Sequence, residues 1–201
     1  MNKTKPRHNN LSGLKIFPLT LRRWNDLVTL FGERGACAGC WCMWWRLRQS
    51  DWSAGKGSRN KNALKELVMG GTPPGLLAYI GKNPVGWIAI APREQYIRLE
   101  KSRVLKPLDD LPVWSIVCFF TAKPYRRLGL TTALIKEAVA FAARKGALAV
   151  EAYPSDPNSL LPDVFAYTGL VSAFRKAGFY EAARRSWHRP IMRFLIKGKK
   201  K

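Results

Sequence analysis

The sequence predicts an α/β fold in which a mixed, mostly antiparallel sheet carries helices on both faces. Three observations point to it. Residues 76–91 read as an antiparallel hairpin, and residues 113–121 (VWSIVCFFT) form a strongly apolar run of strand length. The chain as a whole orders as β-α-(α)-β-β-β-α-β-α-β-β.

Residues 14–18 form a short opening strand. Thr20 is placed to cap a helix running through Phe31. Leu21, Trp24, Leu27, Val28 and Phe31 share one face of it, and Gly32 supplies the stop. The unusual run Cys37-Ala38-Gly39-Cys40-Trp41-Cys42-Met43-Trp44-Trp45-Arg46 comes next, then a polar stretch rich in Ser, Gly and Lys. A helix is predicted over 60–69, closed by Gly70 and Gly71. Strands at 76–80 and 85–91 flank a turn at Gly81-Lys82-Asn83-Pro84. Residues 92–112 are basic and irregular, with one helical turn. The 113–121 strand is central and buried on both faces. A basic turn then leads into a helix ending at about Lys145, whose Leu130, Leu134, Ala138, Phe141 and Ala142 follow the helical period. A strand at 147–153, a loop with Pro and Asp, a helix over 169–177 stopped by Gly178, and strands at 179–184 and 190–195 complete the order.

The 201 residues suit one domain over 11–196, between a basic tail at 1–10 and another at 197–201, with 47% apolar residues to build its core. No apolar run reaches the roughly 20 residues of a membrane helix, so no membrane insertion is expected. The polar, basic start lacks the apolar stretch of a secretory signal and the amphipathic pattern of a transit peptide, which makes the cytoplasm the expected location. Three of the four cysteines, Cys37, Cys40 and Cys42, are too crowded for structural disulfides among themselves, and with Cys118 they are expected as reduced thiols. Net charge is +22, from 35 Lys and Arg against 13 Asp and Glu. Such a chain attracts polyanions, whether phosphorylated cofactors, RNA or acidic membrane surfaces, although charge of this kind also serves solubility alone.

The feature that carries chemistry is the junction Tyr125-Arg126-Arg127-Leu128-Gly129-Leu130-Thr131-Thr132 between the central strand and its helix. The first amides of a helix have no internal partners, and the helix dipole adds positive potential there. Glycine lets a phosphate approach the backbone, and flanking arginines add charge. The bland alternative is a tight turn beside a solvated Arg pair.

Placed between a central strand and an amphipathic helix, this junction resembles the acetyl-CoA motif of the GNAT-type N-acetyltransferases: Gln or Arg, two residues, Gly, any residue, then Gly or Ala. Arg126 and Gly129 match, and Thr131 stands where the family has its last small residue. Ala173-Phe174-Arg175-Lys176-Ala177-Gly178-Phe179 is similar to the family's later helix-to-strand junction. The resemblance covers 76–195. It implies a splayed central strand and an acetyl-CoA donor, with no metal. Main-chain groups near Phe119, Phe120 and Thr121 would meet the acetyl and pantetheine parts. Amides from Arg127 through Leu128, Gly129, Leu130 and Thr131 to Thr132 would hold the pyrophosphate, with Arg126 and Arg127 reaching the phosphates. The acceptor would be an amine, on a small molecule or a protein, and homodimers are common among such enzymes.

Direct attack of an amine on a thioester needs a base for the amine proton and an acid for the leaving thiolate. The family's usual Tyr position is Phe174, which donates no proton. Tyr167 is the nearest substitute as acid, or else a packed aromatic. Glu151 alternates with Leu148, Val150 and Ala152, which puts it on the opposite sheet face beside the central strand. There it serves as base, directly or through water, or pairs with one of the many arginines.

CxxC spacing at Cys37 and Cys40 raises zinc, thiol chemistry and simple packing under tryptophans as readings. The only histidines, His8 and His188, lack ligand spacing, so no metal is expected. In the GNAT order this segment borders the acceptor pocket, so Trp41, Trp44 and Trp45 are candidates to line it, holding an amine by cation–π contact, or else they are core. Two further readings stay open. The acceptor amine is carried on RNA, as in aminoacyl-tRNA, or the chain is a non-catalytic nucleic-acid-binding protein on the same scaffold.

Overall fold

A computed structural model describes residues 11–156 and 163–197. The tails at 1–10 and from 198 onward lie outside the described residues. The elements run β1 (Leu14–Pro18), α1 (Trp24–Phe31), α2 (Gln49–Ala54), α3 (Ser58–Met69), β2 (Gly75–Ile80), β3 (Asn83–Pro92), α4 (Ile97–Glu100), β4 (Val113–Thr121), α5 (Leu130–Arg144), β5 (Ala149–Ala152), α6 (Val171–Lys176), β6 (Tyr180–Ala183) and β7 (Ile191–Leu195). One seven-stranded sheet has the order β1-β2-β3-β4-β5-β7-β6. β4 and β5 run parallel, and every other neighbouring pair of these strands runs antiparallel. The mixed, mostly antiparallel α/β sheet is the one the sequence predicts. No helix among the described residues is long and apolar enough to cross a membrane.

Alternation along the central strands makes two cores. Leu77, Tyr79, Trp87, Ala89 and Val117 point to the face covered by α1, α3 and the Cys/Trp segment. Leu76, Ala78, Ile88, Ile90 and Ile116 point to the face covered by α5 and α6. The neighbouring strands β2 and β3 approach closely at Gly75, where an added Cβ would stand 2.1 Å from the Ile88 carbonyl oxygen and 2.6 Å from the Trp87 ring.

Three local expectations differ from the structure. Thr20 makes no cap bond to the helix. Its hydroxyl accepts from Arg23 Nη1 at 3.5 Å, and a 3₁₀ turn (Leu21–Arg23) precedes α1. The polar stretch after the tryptophans contains α2, a short helix with one large apolar residue, Trp52. β5 is shorter than the 147–153 run because its ladders with β4 and β7 extend only over Ala149–Ala152, which leaves Leu148 exposed.

The irregular segment after β3 is fastened by one buried arginine. Arg93 donates to the Tyr153 hydroxyl at 2.6 Å and to the carbonyls of Leu99 and Leu105 at 3.1 and 2.8 Å. A guanidinium serves here because its fork satisfies several buried acceptors at once.

Candidate active site

The sheet opens at its centre. β4 pairs with β3 as far as Thr121, but with β5 only from Val113 to Ile116. Pro154 lies just beyond β5 and has no N–H to continue the ladder. On its other side β4 bulges: Ala89 faces Cys118 and Ile90 faces Ile116, so Val117 is the extra residue that re-aims the strand. The chain at 166–171 enters the gap. Ser155 N–H donates to the Gly169 carbonyl at 2.9 Å and Val171 N–H to the Ser155 carbonyl at 3.2 Å. Gly169 sits there at φ +83, and a Cβ on it would meet Phe174 at 2.9 Å and Phe119 at 3.0 Å.

This opening bounds a cavity of about 690 Å³ whose walls include Phe119, Phe120 and Thr121 of β4 together with Trp44, Trp52 and Tyr167. That is ample for an extended small-molecule arm. A second cavity of about 260 Å³ lies at the start of α5, walled by Arg126, Arg127, Gly129, Thr131, Thr132 and Lys176. Gly129 takes the left-handed conformation there (φ 87, ψ 2) and no side chain caps the helix. Nothing stands within 4 Å of where its Cβ would be, so an anion has access to the first-turn amides. Arg127 also has positive φ, and Arg126 Nε donates to the Thr121 carbonyl at 3.3 Å, tying the turn to the end of β4. Leu130 is buried in the core and Leu128 half-buried, neither of them on the main cavity wall. Thr121, Arg126, Thr131 and Ala173 line both cavities, which makes them one groove.

The profile of the Acetyltransferase (GNAT) family matches residues 41–160, more than half of the chain. The chain belongs to the GNAT acetyltransferase family. Among solved structures it is similar to an acetyltransferase of the GNAT family from Streptococcus pneumoniae, with 16% identity and TM-score 0.53, covering 92% of this chain and 99% of that one. It is similar to the PaiA N-acetyltransferase of Thermoplasma acidophilum, solved with coenzyme A, with 16% identity and TM-score 0.51 over 91% of this chain and 99% of that one. The NatC complex bound to Gag peptide and CoA contributes a chain with 11% identity and TM-score 0.54, covering 92% and 99%. Likeness at these identities concerns the fold. No curated protein matches the sequence.

Within this GNAT fold the expected site residues divide. Phe119, Phe120, Thr121, Trp44 and Tyr167 meet at the main cavity. Burial pushes the Tyr167 phenol up, partly countered by Arg189, so it stays protonated at neutral pH and is able to donate. Phe174, at the family's usual Tyr position, is fully buried and packs edge to face with Phe119 and Phe179 at 5.9 and 5.1 Å between ring centres.

Glu151 lies away from the groove. It is 1% exposed and accepts from Arg193 Nη2 at 2.7 Å, Arg193 Nε at 3.1 Å and the Tyr153 hydroxyl at 3.0 Å. Arg193 also grips Asp109 through both terminal nitrogens. Hydrogen bonds from Arg193 hold the Asp109 carboxyl below its usual range. The position is the one alternation predicts, on the face opposite Val150 and Ala152. The carboxylate is committed to an ion-pair network joining β5, β7 and the segment before β4.

Trp41 and Trp45 are core residues, 3% and 6% exposed, and lie outside the cavity wall. Trp52 and all four cysteines join Trp44 there. Trp52 carries one signal in sequence, a lone large apolar residue in a polar stretch. Cys118 carries none, being one apolar residue in a continuous run. Cys42 Sγ lies 3.2 Å from Cys118 Sγ and accepts the Trp87 indole N–H at 3.2 Å. The Cys42 sulfur, together with burial, holds the Cys118 thiol well above its usual range, and burial raises Cys40. Ala36, Ala38 and Cys42 in the cavity wall, and Trp41 between them in sequence, all have positive φ, a dense run of strained backbone. Among the described residues no group of His, Cys, Asp and Glu is arranged to hold a metal ion.

Proposed function

We propose that the chain transfers an acetyl group from acetyl-CoA to a primary amine, on a small molecule or a protein, by direct attack within a ternary complex. The observation that supports this most is the continuity of the groove. It runs from an open, cationic helix N-terminus at Gly129, along the freed half of β4, to a cavity wide enough for an acceptor. The amides of Arg127, Leu128, Gly129, Leu130, Thr131 and Thr132 then hold the pyrophosphate, with Arg126 and Arg127 adding charge. Main-chain groups of Phe119, Phe120 and Thr121 that lack a β5 partner bind the pantetheine arm and polarise the thioester carbonyl. The amine nitrogen attacks the acetyl carbon, the carbon–sulfur bond breaks, the Tyr167 hydroxyl gives its proton to the departing thiolate, and the proton shed by the nitrogen restores the hydroxyl. The reading takes residues 11–196 as one domain, which a single sheet from β1 to β7 supports.

Direct attack has a kinetic signature. Initial rates measured against both substrates should give intersecting reciprocal plots, with acetylated amine and free CoA formed in equal amounts. Parallel plots would instead mean that an acetylated enzyme forms first, with one of the cavity thiols as its carrier. The +22 charge favours a second reading, an acceptor amine carried on RNA. That reading predicts tRNA binding that outlasts competition by heparin at equal negative charge and disappears steeply with added salt.

A further inference from the structure

The acceptor end of the groove is shaped for a flat ring. Trp44 and Trp52 meet edge to face, with ring centres 4.7 Å apart and planes at 83°, and both line the main cavity. Two indoles at right angles form a corner. A planar ring seated in it stacks on one indole and offers its edge to the other, the two geometries aromatic pairs prefer. An alkyl chain gains neither.

The same corner is unsuited to a cation. The Arg98 guanidinium lies 3.6 Å from the Trp44 ring centre and the Lys56 ammonium 4.6 Å from that of Trp52. Neither cation lines the cavity, so each indole already carries a positive partner outside the space an acceptor would fill. Their charge opposes an incoming ammonium and draws indole electron density away from the cavity. An uncharged, electron-rich ring meets the opposite situation.

We propose that the acceptor is an aromatic primary amine, with nitrogen bound directly to a ring that sits in the Trp44–Trp52 corner. This rests on the acetyltransferase reading above and names its substrate class. The chemistry is consistent with the rest of the site. A nitrogen conjugated to a ring keeps its lone pair free at neutral pH, so no residue has to deprotonate an ammonium before attack. Glu151, the carboxylate nearest in sequence logic to a base, is held by Arg193 instead. The lone pair forms the new nitrogen–carbon bond as the carbon–sulfur bond breaks. The sulfur leaves with the electron pair and takes up the proton that the nitrogen sheds, by way of Tyr167. Amine plus acetyl-CoA gives acetamide plus CoA thiol, with nothing else consumed.

The test compares p-toluidine with phenylethylamine, hexylamine, spermidine and a lysine peptide, following product by mass spectrometry and acetyl-CoA affinity by calorimetry in the same samples. The expected kcat/KM for p-toluidine exceeds each of the others by about tenfold or more. Trp52→Ala should remove about tenfold of that value while acetyl-CoA Kd stays within about twofold, which also shows that the variant is folded. Lys56→Glu, at an exposed position, should raise phenylethylamine relative to p-toluidine by about threefold. Acetyl-CoA binding with spermidine, phenylethylamine or the peptide as preferred acceptor would overturn the proposal and leave the donor site standing. An unchanged p-toluidine rate in folded Trp52→Ala would overturn it as well. Failure to bind acetyl-CoA at all would remove the proposal together with the reading beneath it.

Discussion

Among single residues, the most informative are those whose chemistry and location agree. Tyr167 reaches the cavity from the segment that fills the gap between β4 and β5, and burial keeps its hydroxyl protonated. Tyr167→Phe should lower kcat by about a hundredfold with little change in acetyl-CoA Kd, since only proton delivery is lost. An equal loss in both would show that the ring matters for shape alone. The cysteines make a second case, in which pH has a definite sign. Thiolate is the reactive form, so raising a thiol's pKa lowers its reactivity until the pH climbs. Cys40 and Cys118 are raised, and Cys37 is exposed. Iodoacetamide at about pH 8 should therefore label Cys37 first, with Cys40 and Cys118 gaining rate as pH rises. Peptide mapping checks the order, and early labelling of Cys118 would contradict the buried contact with Cys42.

For the elements, the question is what holds the sheet open. β5 contributes Glu151 to a network with Arg193 of β7, Asp109 and Tyr153, and this clamps the closed ends of β4 and β5 while their far ends part. Glu151→Gln leaves Arg193 short of a buried partner, a loss of about 3 kcal/mol, which lowers Tm by roughly 6–12 °C in a domain of this size. Turnover per folded molecule should change little. A fall in kcat at unchanged Tm would assign the carboxylate to proton abstraction. The fold was legible in sequence because its elements are strongly patterned: the run from Val113 to Thr121 and the helix-period residues of α5 stand in the structure where the pattern puts them. The end of the groove at the start of α5 was legible for a local reason, since a Gly beside two arginines at a strand-to-helix turn is contiguous in sequence. The acceptor side was not. Trp52 and Cys118 line one cavity from segments far apart in the chain, and Trp41 and Trp45 are separated from Trp44 by how an irregular stretch with several left-handed residues runs. Periodicity carries no information about such a stretch.

At the scale of the whole molecule, the +22 charge makes any anion bind to some extent, so specificity has to be separated from attraction. The proposed donor site offers the means, because on that reading the open helix start at Gly129 would meet a pyrophosphate at short range while surface charge acts through salt-screened distance. Gly129 is also where a substitution reaches the proposed donor site without touching a packed side chain, since the space above it is open and the cost is confined to the left-handed backbone. The most direct measurement is calorimetric titration of acetyl-CoA into the wild-type protein and into Gly129→Glu across a range of salt, with ATP as the polyanion control. The account predicts tight acetyl-CoA binding that survives salt, exceeds that of ATP and is lost in the variant while the fold persists. Equal binding of ATP and acetyl-CoA, fading together with salt and indifferent to the substitution, would contradict it.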